Sequence, residues 1–103
     1  MKKAKIFVDG TYAGDLEEVV KGKDYRFIYL EGYAGGAVSL TMPINQRVYV
    51  FDRFPPIFEG FLPEGSMLMA LLKKRKLDAD DYFEQLMLVG GEMVGNVTAE
   101  RAS

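Results

Sequence analysis

Two adjacent prolines, Pro55-Pro56, divide this chain into halves that no single strand or helix can join. Proline donates no ladder hydrogen bond, and the residue before a proline is pushed out of helical geometry, so neither a strand nor a helix runs through the pair. Before it, short apolar runs alternate with turn residues. Lys5-Ile6-Phe7-Val8 and Thr11-Tyr12-Ala13-Gly14 flank Asp9-Gly10, a dipeptide in which both residues tolerate positive φ and which predicts a hairpin. Tyr25 to Leu30 reads as a third strand, with Tyr25, Phe27 and Tyr29 on one face and Arg26, Ile28 and Leu30 on the other. An aromatic face of that kind requires a packing partner. Val38 to Met42, ended by Pro43, and Val48 to Phe51 complete the expected strands.

After the prolines the period changes. Ile57 to Leu62 suits about one helical turn, and Pro63-Glu64-Gly65 reads as a turn. Ser66 is placed as the N-cap of a helix reaching about Lys76, whose basic end, Lys73-Lys74-Arg75-Lys76, suits the helix dipole. Asp78 is expected to cap a further helix, with Ala79, Tyr82, Phe83, Leu86 and Met87 at helical spacing and Gly90-Gly91 at its end. Val94 to Thr98 reads as a short last strand and Ala99 to Ser103 as a frayed tail. Strands first and helices after predict a single α+β domain over residues 1–103, a small, mostly antiparallel sheet with two to three helices packed on it.

Composition narrows the chemistry. The chain has neither His nor Cys, which removes the commonest general base, disulfides and thiolate metal sites. Ser39, Ser66, Thr41 and Thr98 carry hydroxyls, but Ser39 falls in a strand pattern and Ser66 at a cap. Asp78-Ala79-Asp80-Asp81 does not make a calcium loop, because the sixth and twelfth positions are Phe83 and Val89 rather than Gly and Glu. Gly35-Gly36 and Gly90-Gly91 lack the surroundings of a phosphate-binding loop. No catalytic residue, cofactor or metal is therefore expected. A net charge of −2 disfavours direct nucleic-acid binding, although Lys73 to Lys76 leaves that reading as an alternative. The basic N-terminus is followed by only three apolar residues before Asp9, too few for a secretory segment, and no stretch is long enough to span a membrane. A cytoplasmic protein is expected.

One region stands apart. Phe54, Phe58, Phe61, Leu62, Met67, Leu68, Met69, Leu71 and Leu72 crowd together, and residues 67–72 are apolar without a break. A helix apolar nearly all round is either buried on several sides or presents a patch. One small sheet covers one side only, and methionine suits adaptable binding surfaces. The two outcomes are a plain core and a protein–protein interface, which needs about 800 Å² per partner.

Several segments, in order, carry a resemblance. Val38-Ser39-Leu40-Thr41-Met42-Pro43, then Phe58-Glu59-Gly60-Phe61-Leu62-Pro63-Glu64-Gly65, then a helix, Phe83-Glu84-Gln85-Leu86 and Gly95-Asn96-Val97-Thr98 resemble the N-terminal subdomain of the HipA toxin kinases. Phe61 stands where that family has a first Leu, and Asn96 where it usually has Ala. The kinase motifs of that family are absent from this sequence. A free-standing copy of the subdomain is similar to the HipS antitoxins of three-component HipBST systems. The resemblance implies a non-enzymatic protein that binds and neutralises a HipT-type Ser/Thr kinase toxin, with a HipB-type DNA-binding protein in the same complex. It implies no small-molecule substrate and no membrane. Joined to the apolar helix, it places the kinase-binding residues at Phe58, Phe61, Leu62, Pro63, Glu64, Gly65, Ser66, Met67 and Met69, with Ser66, Met67 and Met69 projected at the kinase and Glu64 adding polar contacts. The alternative within the same resemblance is a structural or activating half of a split kinase.

Overall fold

The computed structural model describes residues 1–92 and 95–102. Asp9 and Gly10 take φ of 50° and 79°, the two positive values of a tight hairpin turn whose twist matches its strands. They join β1 (Lys2–Val8) to β2 (Thr11–Val20). The hairpin pattern predicts a second strand over Thr11 to Gly14, but β2 continues through the charged stretch 15–20. Alternation explains it: Leu16 and Glu18 point inward, while Glu17 reaches Lys3 on the neighbouring strand at 3.5 Å. β3 (Asp24–Tyr29), β4 (Val48–Phe51) and β5 (Val97–Arg101) complete one antiparallel sheet in the order β4-β3-β2-β1-β5.

One face of this sheet makes the core. Ala4, Ile6, Val8, Leu16, Tyr25, Phe27, Tyr29, Val97 and Ala99 are buried there, with Phe54, Phe58, Phe83 and Leu86 packed over them. The three aromatics of β3 do share the inner face, and they stack edge to face: Phe27 on Tyr29 at 4.8 Å and Tyr25 on Phe54 at 5.4 Å. Buried polar groups are paired. Tyr25 donates its hydroxyl to buried Glu18 at 2.9 Å and accepts the Gly22 N–H at 2.8 Å. Burial pushes the Tyr25 phenol up to about 12, with Glu18 adding to the rise and the Gly22 N–H opposing it.

Four expectations are corrected. Residues 38–42 form no strand. A strand would put 38, 40 and 42 on one side, whereas Val38 and Met42 are buried and Leu40 between them is fully exposed. The buried Tyr29 hydroxyl accepts the Val38 N–H and donates to the Met42 carbonyl, and Ser39 Oγ accepts the Thr41 N–H, so side chains take the backbone groups a ladder would use. Ser66 does not cap the long helix, because Glu64 occupies the cap position and its side chain makes no capping bond. Asp78 does not cap the last helix. The amide of Gln85 binds the carbonyls of Asp78 and Ala79, holding 78–81 as a turn, and Asp81 accepts the Glu84 N–H instead. The last strand lies later than expected, at Val97–Arg101, and the tail is not frayed there, since Ala4 pairs with Arg101. Val94, the expected start of that strand, and Ser103 lie outside the described residues.

Candidate partner-binding surface

Pro55 and Pro56 start α1 (Pro56–Glu59), with Pro56 at a position where its missing N–H costs nothing. Two further turns follow directly: Phe61 N–H donates to Phe58 O at 3.1 Å and Leu62 N–H to Glu59 O at 3.0 Å. This tight segment plants Phe58 in the core against Phe27, at 6.0 Å between ring centres. Pro63 then prevents continuation, and the chain re-enters a helix at Gly65, whose φ of 59° is left-handed. Only glycine takes that geometry without steric cost. α2 (Gly65–Arg75) runs from there to Lys76, whose own left-handed conformation and N–H bond to Leu72 O close the helix.

No residue of α2 is buried. Leu68, Leu71 and Leu72 form a half-buried inner stripe at i, i+3 and i+4. Met67 and Met69 are 73% and 67% exposed. Being two apart, they point about 200° from each other around the axis, so they flank the inner stripe on both sides rather than forming one pair. The apolar run is therefore not a plain core: its leucines are half-buried and its two methionines are exposed.

α3 (Tyr82–Val89) contrasts with it by burying Phe83, Gln85 and Leu86. Its Glu84 holds the two sheet strands nearest to it, accepting from Lys2 at 2.7 Å and from Arg101. Burial acts to raise the Glu84 pKa, but these two cations outweigh it and hold the carboxyl below its ordinary value.

The nine residues placed on the binding surface by sequence divide into layers. Phe58 and Leu62 are buried, so they support the surface from beneath and present no contact face. Phe61 and Pro63 are half-buried, while Glu64, Gly65, Ser66, Met67 and Met69 are exposed. Behind them, Glu59, Leu62, Pro63, Glu64, Leu68, Tyr82 and Gln85 line a cavity of about 200 Å³ between the 62–64 turn, α2 and α3. Sequence spacing did not reveal it, because Tyr82 and Gln85 are far along the chain from Glu59. Tyr82 also borders a larger cavity of about 340 Å³ at the β2–β3 turn, whose charged lining residues are Lys21, Arg53 and Asp80. No group of His, Cys, Asp and Glu suited to holding a metal occurs among the described residues, and none of their helices is long and apolar enough to cross a membrane.

Residues 4–100 match the family HipA N-terminal domain. The chain belongs to that family. Among solved structures, it is similar to the N-terminal domain of a HipA toxin, with a TM-score of 0.77, 27% identity, and coverage of 100% of this chain and 94% of that one. An uncharacterized protein of Haemophilus influenzae is 31% identical over 97 residues, covering 94% of this chain and 90% of that protein. The five-stranded antiparallel sheet with its helices is thus the fold of a HipA N-terminal domain, which this sequence builds across nearly its whole length.

Proposed function

We propose that this HipA N-terminal domain is the antitoxin component of a HipBST-type toxin–antitoxin system. It binds a HipT-type Ser/Thr kinase toxin and neutralises it by protein–protein contact, without catalysing a reaction of its own. The observation that carries this reading is α2: a helix of eleven residues that buries none of them, held on a rigid sheet with Met67 and Met69 outward. In a family named for a kinase toxin, a domain with such a helix has a ready site for the kinase body. The contact surface is Phe61, Pro63, Glu64, Gly65, Ser66, Met67 and Met69, resting on buried Phe58 and Leu62. A HipB-type DNA-binding protein joins the same complex and supplies the DNA contact, and the assembly is cytoplasmic.

The test is kinase activity of the HipT-type partner, measured with and without this protein, and with Met67→Asp and Met69→Asp variants. Inhibition by the wild type and its loss in both variants is the expected result. Stimulation of the kinase would instead assign the chain to an activating half of a split enzyme. Unchanged inhibition by both variants would move the contact surface elsewhere.

A further inference from the structure

The cavity beneath α2 has a chemistry of its own. Its walls are apolar, from Leu62, Pro63, Leu68 and the Tyr82 ring, and its charged lining residues are Glu59 and Glu64. Neither carboxylate has an ion-pair partner among the described residues. The third polar group is Gln85, only 1% exposed. Its amide nitrogen donates to the carbonyls of Asp78 and Ala79, both at 3.2 Å. Two carbonyl acceptors settle which end of the amide is nitrogen, so Oε1 is the free end. No hydrogen bond reaches Oε1 among the described residues, yet every sealed side-chain oxygen or nitrogen there has a partner. Oε1 is therefore not fully sealed, and Gln85 is one of the residues lining this cavity.

The polar side chains lining this cavity thus offer acceptors: the free amide oxygen of Gln85 and two carboxylates. The complement is a donor-rich cation on an apolar stem. We infer that the cavity receives a lysine or arginine side chain of the bound kinase, its methylenes against Leu62, Pro63 and Leu68 and its charged head shared by Gln85 Oε1, Glu59 and Glu64. A neutral apolar side chain would leave Oε1 desolvated without a donor, and an acidic one would meet like charge. Tyr82 adds a ring wall on which a cation gains further attraction. The inference rests on the kinase-binding reading and specifies what the partner contributes to it. It also explains why α2 stands off the core: closing it down would fill the cavity and bury two unpaired carboxylates.

The experiment is titration of the intact protein with the HipT-type kinase by calorimetry. Three forms are compared, wild type, Glu59→Lys/Glu64→Lys and Met67→Asp, and the double charge reversal is also paired with kinase variants in which surface lysines and arginines are changed singly to Glu. Glu64 is exposed and Glu59 half-buried, and thermal unfolding of the reversal variant verifies that it folds. The expected result is a loss of roughly 30-fold or more in affinity on reversal, with one Lys→Glu or Arg→Glu kinase restoring it. Unchanged affinity overturns the inference, and so does a loss that no kinase variant restores, which would mark general repulsion. If only Met67→Asp weakens binding, the inference fails while the kinase-binding reading stands. If the wild type does not bind the kinase, both fall.

Discussion

α2 and α3 are neighbours in sequence and carry six apolar residues each, in eleven and in eight positions, yet they are opposite in fate. α3 buries Phe83, Gln85 and Leu86 against the sheet and is tied at its side by Glu84 to Lys2 and Arg101. α2 buries nothing and rests on the body through a half-buried leucine stripe. The difference lies in what each helix finds beneath it. α3 and the Phe54–Phe58 segment pack over the inner face of a five-stranded sheet, whereas α2 meets the 62–64 turn and α3 across a cavity. Hydrophobicity of a segment thus states how much surface needs covering. It does not state whether the same chain will do the covering.

That contrast can be broken at several points. The largest effect is expected from Phe58→Ala, beneath α2 but in the shared core: a loss of about 3–5 kcal/mol of stability, read from urea unfolding. A loss below about 1 kcal/mol would mean that the segment under α2 is as loosely held as α2 itself. Met67→Asp and Met69→Asp come next, and they sharpen the comparison because two readouts separate. Binding of the kinase should weaken by about 2 kcal/mol or more, while unfolding stability moves by no more than about 0.5 kcal/mol. A matched Leu86→Asp in α3 should instead unfold the domain, since its side chain is fully buried.

Gly65→Ala tests the left-handed entry into α2. A cost of about 1 kcal/mol is expected, since the φ of 59° is the feature that lets the helix begin directly after Pro63-Glu64. Helical content by circular dichroism should fall in parallel. The smallest effect concerns pH in the sealed half. The folded chain favours the neutral Tyr25 phenol, whose value is raised to about 12. Its contribution is complete below the ordinary value near 10 and is lost as pH rises through about 12. Stability followed by urea unfolding across that alkaline range should decline less steeply in Tyr25→Phe than in wild type. An identical decline would remove Tyr25 as its source.

Much of the sheet was legible from local chemistry. Asp9-Gly10 has one favoured turn, and the alternation of Tyr25, Phe27 and Tyr29 admits one inner face. Residues 38–42 were misread because their alternation looks identical in a strand and in a loop whose backbone is held by a distant tyrosine. The two helix starts were misplaced for a related reason. Ser66 and Asp78 have the right side chains for caps, but Gly65 and the Gln85 amide decide where each helix begins.

The sequence by itself determined the class of fold, the break at Pro55-Pro56, the lack of His and Cys, and the surplus of apolar side chains between residues 54 and 72. Those follow from covalent geometry and residue chemistry, which act over a few neighbours. The tertiary structure alone decided which of those apolar residues are sealed and which face outward, that Met67 and Met69 lie on different sides of one helix, and that Gln85 closes a cavity with Glu59 and Glu64. Burial is a competition for a limited inner surface, and its outcome depends on every segment at once.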